Sequence, residues 1–161
     1  MTYENRMERP EQVQPEPLDG RALDNRLQEA ADVRPGTFRY SDQELGGEVR
    51  TSVPQDGGIS SVAQAEVYRR DGSVDTVGAA RYSVSGDSAT IYNQPFVYAN
   101  EGVKNALVSE ISDQGRAKGA TRLQGWAPDG DQDAVKRWQS LGFQPTQRAP
   151  GASGVYWERP I

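Results

Sequence analysis

Acid-base chemistry in this chain can fall only to carboxylates, tyrosines and lysines, because its 161 residues include no histidine and no cysteine. That composition removes Ser-His and Cys-His pairs, imidazole and thiolate metal ligation, and disulfides. The densest carboxylate pattern is Asp129, Asp131 and Asp133 in PDGDQDA. Its alternation is that of a calcium loop, but the glycine at the sixth place and the glutamate at the twelfth are absent. The better reading is that Asp131 caps a following helix and its neighbours sit at the positive end of that helix, so no metal is expected. Arg69 and Arg70 fall at a hairpin tip and read as a solvated end.

The elements that would position any chemistry lie between Ile91 and Phe143. A strand is expected over Ala89 to Val97, with Ile91, Asn93 and Pro95 alternating with Tyr92, Gln94 and Phe96. A turn at residues 98–102 leads into a helix whose stripe is Val103, Ala106, Leu107, Ile111 and Gln114, closed by a left-handed glycine at Gly115 or Gly119. Thr121 to Ala127 is a second strand. Two strands joined by one helix are most simply parallel neighbours in a right-handed crossover. Upstream, strands at Ile59 to Arg70 and Val74 to Ser85 meet at Asp71-Gly72, and Gly86-Asp87 reverses the chain again into Ala89. Before them come a helix at Asp19 to Asp32, a short strand at Thr37 to Tyr40 and another at Glu48 to Val53, the latter bracketed by Gly46-Gly47 and Gly57-Gly58. A final hairpin is expected from Gln144 to Arg148 and Val155 to Arg159, around Pro150-Gly151. The expectation is a sheet of about six or seven strands, parallel only between the strands at Ala89 and Thr121, which splay at their carboxyl ends.

The most specific sequence feature is AVKRWQSLGF, residues Ala134 to Phe143, preceded by PFVYANEGVKNAL. The first resembles the A-x-x-x-Y-x-x-x-G-F ending of the Gcn5-related N-acetyltransferase (GNAT) family, with Trp138 at the tyrosine place. The second is similar to the family's Q/R-x-x-G-x-G/A turn, with Ala99 at the first place, Gly102 at the first glycine and Lys104 at the second. The resemblance covers about residues 59–159. It implies an α/β (α+β) fold, a mixed, mostly antiparallel central sheet with helices on both faces. It also implies a V-shaped opening between two strands, where family members hold acyl-CoA with its pyrophosphate on the NH groups of a helix start. Carried over, the cofactor positions are Phe96, Val97, Gly102, Val103 and Lys104. The family's usual acid is the tyrosine that is Trp138 here, and an indole NH has no accessible proton to give. Asp131 likewise stands where the family commonly has asparagine. Trp138 is therefore expected to pack beside Phe143. Tyr92 and Tyr98 remain as hydroxyl-bearing candidates for catalysis.

The net charge of −5 and a pI near 4.8 argue against non-specific nucleic-acid binding. No apolar run approaches a membrane span and no signal-peptide pattern opens the chain, so a cytoplasmic or virion setting is expected. With 35% hydrophobic residues and a mean hydropathy of −0.79, part of the chain should lie outside the core. That part is residues 1–18, which carry Pro10, Pro15 and Pro17 among polar groups and should form an extended amino-terminal arm. Residues 19–161 form the domain. Tyr3, Met7 and Val13 would anchor the arm in apolar recesses of a protein partner, with Arg6 or Arg9 on carboxylates. Arginine far outnumbers lysine, which suits a high-GC bacterial or phage genome. Three positions, Ala99, Lys104 and Trp138, depart from the family in the direction of lost function. The reading is thus a catalytically degenerate GNAT-fold module working in a larger assembly or oligomer, with no cofactor favoured. The alternatives are an acetyl-CoA-dependent N-acetyltransferase with an unusual site and a small-ligand binder using the same opening.

Overall fold

Successive reversals from Pro35 onward build one sheet of eight strands, and a single helical crossover breaks its antiparallel run. The computed structural model describes residues 6–7, 11–12, 34–55 and 60–161, with side chains from 38–54 and 60–161. The expected helix at Asp19 to Asp32, the Gly57-Gly58 turn and Tyr3, Arg9 and Val13 of the arm lie outside the described residues. Within the unit that ends at Arg34, β1 (Arg6–Met7) pairs antiparallel with β2 (Glu11–Gln12). Arg6 and Met7 are described there by their backbone alone.

In the second unit the order across the sheet is β3-β4-β5-β6-β7-β8-β10-β9. The strands are β3 (Arg34–Asp42), β4 (Gly47–Gln55), β5 (Ser61–Arg69), β6 (Val74–Ser85), β7 (Ser88–Tyr98), β8 (Arg122–Pro128), β9 (Gln144–Pro145) and β10 (Gly154–Pro160). The two helices of this unit are α1 (Glu101–Ala117) and α2 (Gln132–Ser140). The sheet has eight strands, not six or seven, and residues 34–42 form a full nine-residue strand where a short one was expected. The final hairpin is shorter than its pattern suggested, β9 having two residues.

Among the strand pairings of the described residues, β7–β8 is the parallel one. Its ladder runs from Ser88↔Arg122 to Ile91↔Gly125 and stops, although β7 continues to Tyr98 and β8 to Pro128. Past that point the strands splay. On its other side β7 pairs with β6 at Phe96↔Ala80 and Ile91↔Tyr82, so residues 92–95 oppose Arg81 alone. This bulge breaks the expected alternation: Ile91 and Phe96, five positions apart, are both buried. Bulges bend a strand and re-aim its side chains. Here the bulge turns Asn93 toward β8.

Helix α1 is preceded by Asn100, whose side chain caps Val103, and is followed after Lys118 by Gly119 (φ +94°), while Gly115 lies inside the helix against Ala89. A left-handed residue at 119 needs no Cβ, which is why the helix stops there. The other helix, α2, packs on β8, where the indole of Trp138 covers Gly125. Ala89 and Leu123, then Ile91 and Gly125, are side by side in register, so both helices lie on one face of the sheet. Between helices and sheet sit Tyr82, Ile91, Leu107, Ile111, Leu123, Trp138 and Phe143, all fully buried. Each such Leu, Ile or Phe contributes roughly 1.5–3 kcal/mol by leaving water. Among the described residues no helix is long and apolar enough to cross a membrane.

Candidate functional site

The site is built where β7 and β8 part, and two side chains bridge the gap. Asn93 donates its Nδ2 to the Trp126 carbonyl at 2.8 Å, and Trp138 donates its indole Nε1 to the same oxygen at 3.1 Å. A carbonyl oxygen has two lone pairs, so this one is saturated. Arg137 holds Asn93 in place, its Nη1 donating to Asn93 Oδ1 at 2.7 Å, while its guanidinium lies 5.4 Å from the Phe96 ring and 5.6 Å from that of Trp138. Trp138 in turn stacks on Phe143 at 5.4 Å between centroids, the neighbour expected for it. Its indole fits because residue 125 is glycine: a Cβ there would come within 2.4 Å of the ring. Outside the bridge a cleft of about 640 Å³ is lined by β7 residues 93–97 with Arg81 and Arg137.

The second part of the site is the start of α1. Its exposed end is a set of NH donors with a positive dipole. The Asn100 side chain takes one of them, Oδ1 accepting from Val103 N at 2.9 Å, while its carbonyl accepts the first regular helical bond from Lys104 N at 3.0 Å. The Asn100 amide then donates to Asp42 Oδ2 at 3.1 Å and Glu44 Oε1 at 2.8 Å, both from the β3–β4 reversal. Those bonds bring two carboxylates to the helix start, and Glu101 adds a third within its first turn. The Asn100 amide first of all holds the Asp42 carboxyl below its usual range; desolvation opposes it, and the backbone NH groups of Leu45 and Glu44 and the Tyr40 hydroxyl add to the lowering. Tyr40, above Gly102 with its hydroxyl 3.1 Å from where a Cβ would be, has its phenol pushed up to about 12 by burial first and by Asp42 second.

Lys104 is buried. Its ammonium contacts Glu101 Oε1 at 2.6 Å and Ser140 Oγ at 2.9 Å, and lies 5.7 Å from the centre of the Tyr98 ring. The cation therefore turns inward and ties α1 to the end of α2. Of the other positions named from sequence, Phe96 is buried edge-on to Tyr98, Val97 is 59% exposed at the cleft, and Gly102 and Val103 form the first turn of α1. Tyr92 belongs to the bulge and does not line the cleft; Tyr98 is half-buried beside Lys104. Asp131 caps α2, accepting from Ala134 N at 3.0 Å. Asp129 is paired with both terminal nitrogens of Arg148 at 2.5 Å. Arg69 is not a free solvated end: its Nε donates to Leu45 O at 2.9 Å and it pairs with Asp75.

Sequence reasoning missed Asn93, Arg137, Tyr40, Asp42 and Glu44. An asparagine inside a strand and a glycine at 125 opposite an aromatic-rich helix were the available signals, since both residue types are depleted in strands. Nothing local links Asp42 to Asn100, 58 positions away.

A meander of antiparallel strands, one parallel pair splayed at its carboxyl ends, a helix starting at the mouth of the splay and a second helix behind it complete the expected architecture. The fold is GNAT-like. No protein-family model matches the chain, and no curated protein matches it. Solved structures similar to it include the paia N-acetyltransferase of Thermoplasma acidophilum in complex with coenzyme A, at 12% identity and a TM-score of 0.48 over 64% of this chain. The match spans 62% of that protein's length. Nourseothricin acetyltransferase is 21% identical, with a TM-score of 0.47 over 78% of this chain and 84% of its own. A GNAT family acetyltransferase of Elizabethkingia anophelis with acetyl-CoA bound is 12% identical, with a TM-score of 0.47 over 63% and 76%.

Proposed function

We propose that this protein is a GNAT-fold module that does not use acetyl-CoA and serves as a binding or structural part of a larger assembly. The observation that carries the reading is the saturated Trp126 carbonyl. An acyl-CoA arm entering the splay would need edge groups of the parted strands, and Asn93 and Trp138 already occupy the Trp126 carbonyl on β8. The start of α1 agrees. A pyrophosphate requires free NH groups and a positive field. Here the NH group of Val103 is taken by the Asn100 side chain, three carboxylates surround the position, and the Lys104 ammonium is paired with Glu101. These residues do not fit the cofactor. Nor is the family's acid in place, its tyrosine being an indole whose NH is bonded to a carbonyl.

Thermal unfolding with acetyl-CoA tests this. A ligand at 100 times its dissociation constant stabilises by about 2.7 kcal/mol. We expect no shift for the native protein and none for Lys104→Gly, because the carboxylates remain. A saturable native shift would establish the acetyltransferase reading instead. The partner contact is proposed to lie in residues 1–18, through Tyr3, Arg6, Met7, Arg9 and Val13, in a virion or comparable assembly. Deleting those residues should abolish co-purification with the partner and leave the unfolding temperature of the remaining domain nearly unchanged; unaltered assembly would remove the arm from the account.

A further inference from the structure

We infer that the outer edge of β3 pairs antiparallel with β3 of a second copy of this chain, about a two-fold axis at Tyr40. Among the described residues β3 stands first in the sheet, with β4 on one side and no strand on the other. Two bonds fix the direction of its backbone groups. Phe38 N donates to Thr51 Oγ1 on β4 at 3.3 Å, and the Asp42 carbonyl accepts from Gly46 N within the β3–β4 reversal at 2.9 Å. Successive residues of a strand send their NH and C=O groups to opposite sides, so those of Phe38, Tyr40 and Asp42 face β4 while those of Thr37, Arg39 and Ser41 face outward. Arg39 and Ser41 are exposed, and among the described residues neither side chain has a hydrogen bond or ion pair. Edges that stay unpaired are kept short or carry proline, lysine or a bulge. The far edge of this sheet follows that rule, β9 having two residues of which one is Pro145. On β3 such protection stops at Pro35, which has no NH to send outward; from Thr37 to Ser41 the edge is open. What fits an open edge is another extended strand.

The residues favour the chain's own β3. In an isologous pair centred on Tyr40, Arg39 lies opposite the second copy's Ser41, and Ser41 opposite its Arg39, so the outward NH and C=O groups of both residues are exchanged. Tyr40 then meets its own copy in the close position between those two pairs, ring against ring. Pro35 falls beyond the paired stretch. A register centred on Arg39 would set two guanidiniums directly opposite, which cross-strand pairing disfavours. One strand pair makes a small interface, so the association is weak and depends on concentration.

The test is sedimentation of the full chain, loaded from about 10 μM to about 1 mM, a range that brackets weak association. We expect the average mass to rise from 17.7 kDa toward twice that value, with hydrogen exchange at the Arg39 and Ser41 amides slowing over the same range. Ser41→Lys sets a like charge opposite Arg39 at both pairs and should weaken the association by roughly tenfold. Adding Arg39→Glu to that variant turns each clash into an opposite-charge pair and should restore the native value. Gln139→Lys, at an exposed position on α2, should change nothing. Both β3 positions are exposed, so these variants keep the fold. A chain that stays monomeric across the range, a Ser41→Lys chain that associates as the native one does, a double variant left as weak as Ser41→Lys, or an equal loss in Gln139→Lys would each overturn the inference. Acetyl-CoA and residues 1–18 take no part in this pairing, so its failure leaves the module reading standing, and failure of that reading leaves the pairing standing.

Discussion

The two halves of the β7–β8 pair are held by different means. In the amino half, from Ser88 to Ile91, backbone bonds zip the strands, and side chains such as Gln124 on Thr90 only decorate the ladder. In the carboxyl half the backbone parts, and the gap is spanned by Asn93, Trp138 and Arg137 converging on one carbonyl and on each other. The amino half needs only the extended backbone that most sequences can supply. The carboxyl half depends on individual residues, so it is where a shared fold can acquire or lose a ligand.

That contrast can be broken by substitution. Trp138→Ala should cost the most, about 3–5 kcal/mol in denaturant unfolding, since it empties the core behind the splay and removes a donor from Trp126. Gly125→Ala belongs by register to the zipped half but supports the indole; overpacking there should cost about 1–3 kcal/mol. Asn93→Ala should cost about 1 kcal/mol for the lost bond to Trp126. Gln124→Val, in the zipped half, should stay within about 0.5 kcal/mol of the native protein. If Gln124→Val costs as much as Asn93→Ala, the two halves do not differ in the way described.

The remaining effects are those of pH. Tyr40 has its folded pKa raised from 10.0 to about 12, so its contribution is fully present below pH 10 and is lost as pH rises toward 12. Asp42 is depressed below 3.8, so its contribution is present above that value and is lost as pH falls through the lower folded value. Alkaline unfolding of Tyr40→Phe should lack the first step, and acid unfolding of Asn100→Ala should show a weaker second one. An alkaline profile identical in Tyr40→Phe would mean that Tyr40 titrates freely.

The sheet was legible because its turns are marked by glycine and its strands alternate, so the Val74 to Ser85 strand and the 71–72 reversal follow directly from local pattern. The single parallel pair followed from one helix between two strands. The extra length of β3 was not legible, since RPGTFRYSD carries proline and glycine within a strand. The bulge was hidden for a different reason: alternation continues in the letters from Ile91 to Phe96, and only pairing with β6 shows that residues 92–95 leave the ladder. Lys104 was seen as a cation at a helix start. Its inward course depends on Ser140, 36 positions away, which no local signal announces.

The most direct test of the closed opening is to follow the Trp138 indole NH and the Asn93 side-chain amide by NMR while acetyl-CoA is added to the full chain. The account predicts that neither signal moves at any concentration, because both groups stay on the Trp126 carbonyl. Saturable movement of both, at a dissociation constant shared with protection against thermal unfolding, would show that the cofactor displaces the bridge and would contradict it.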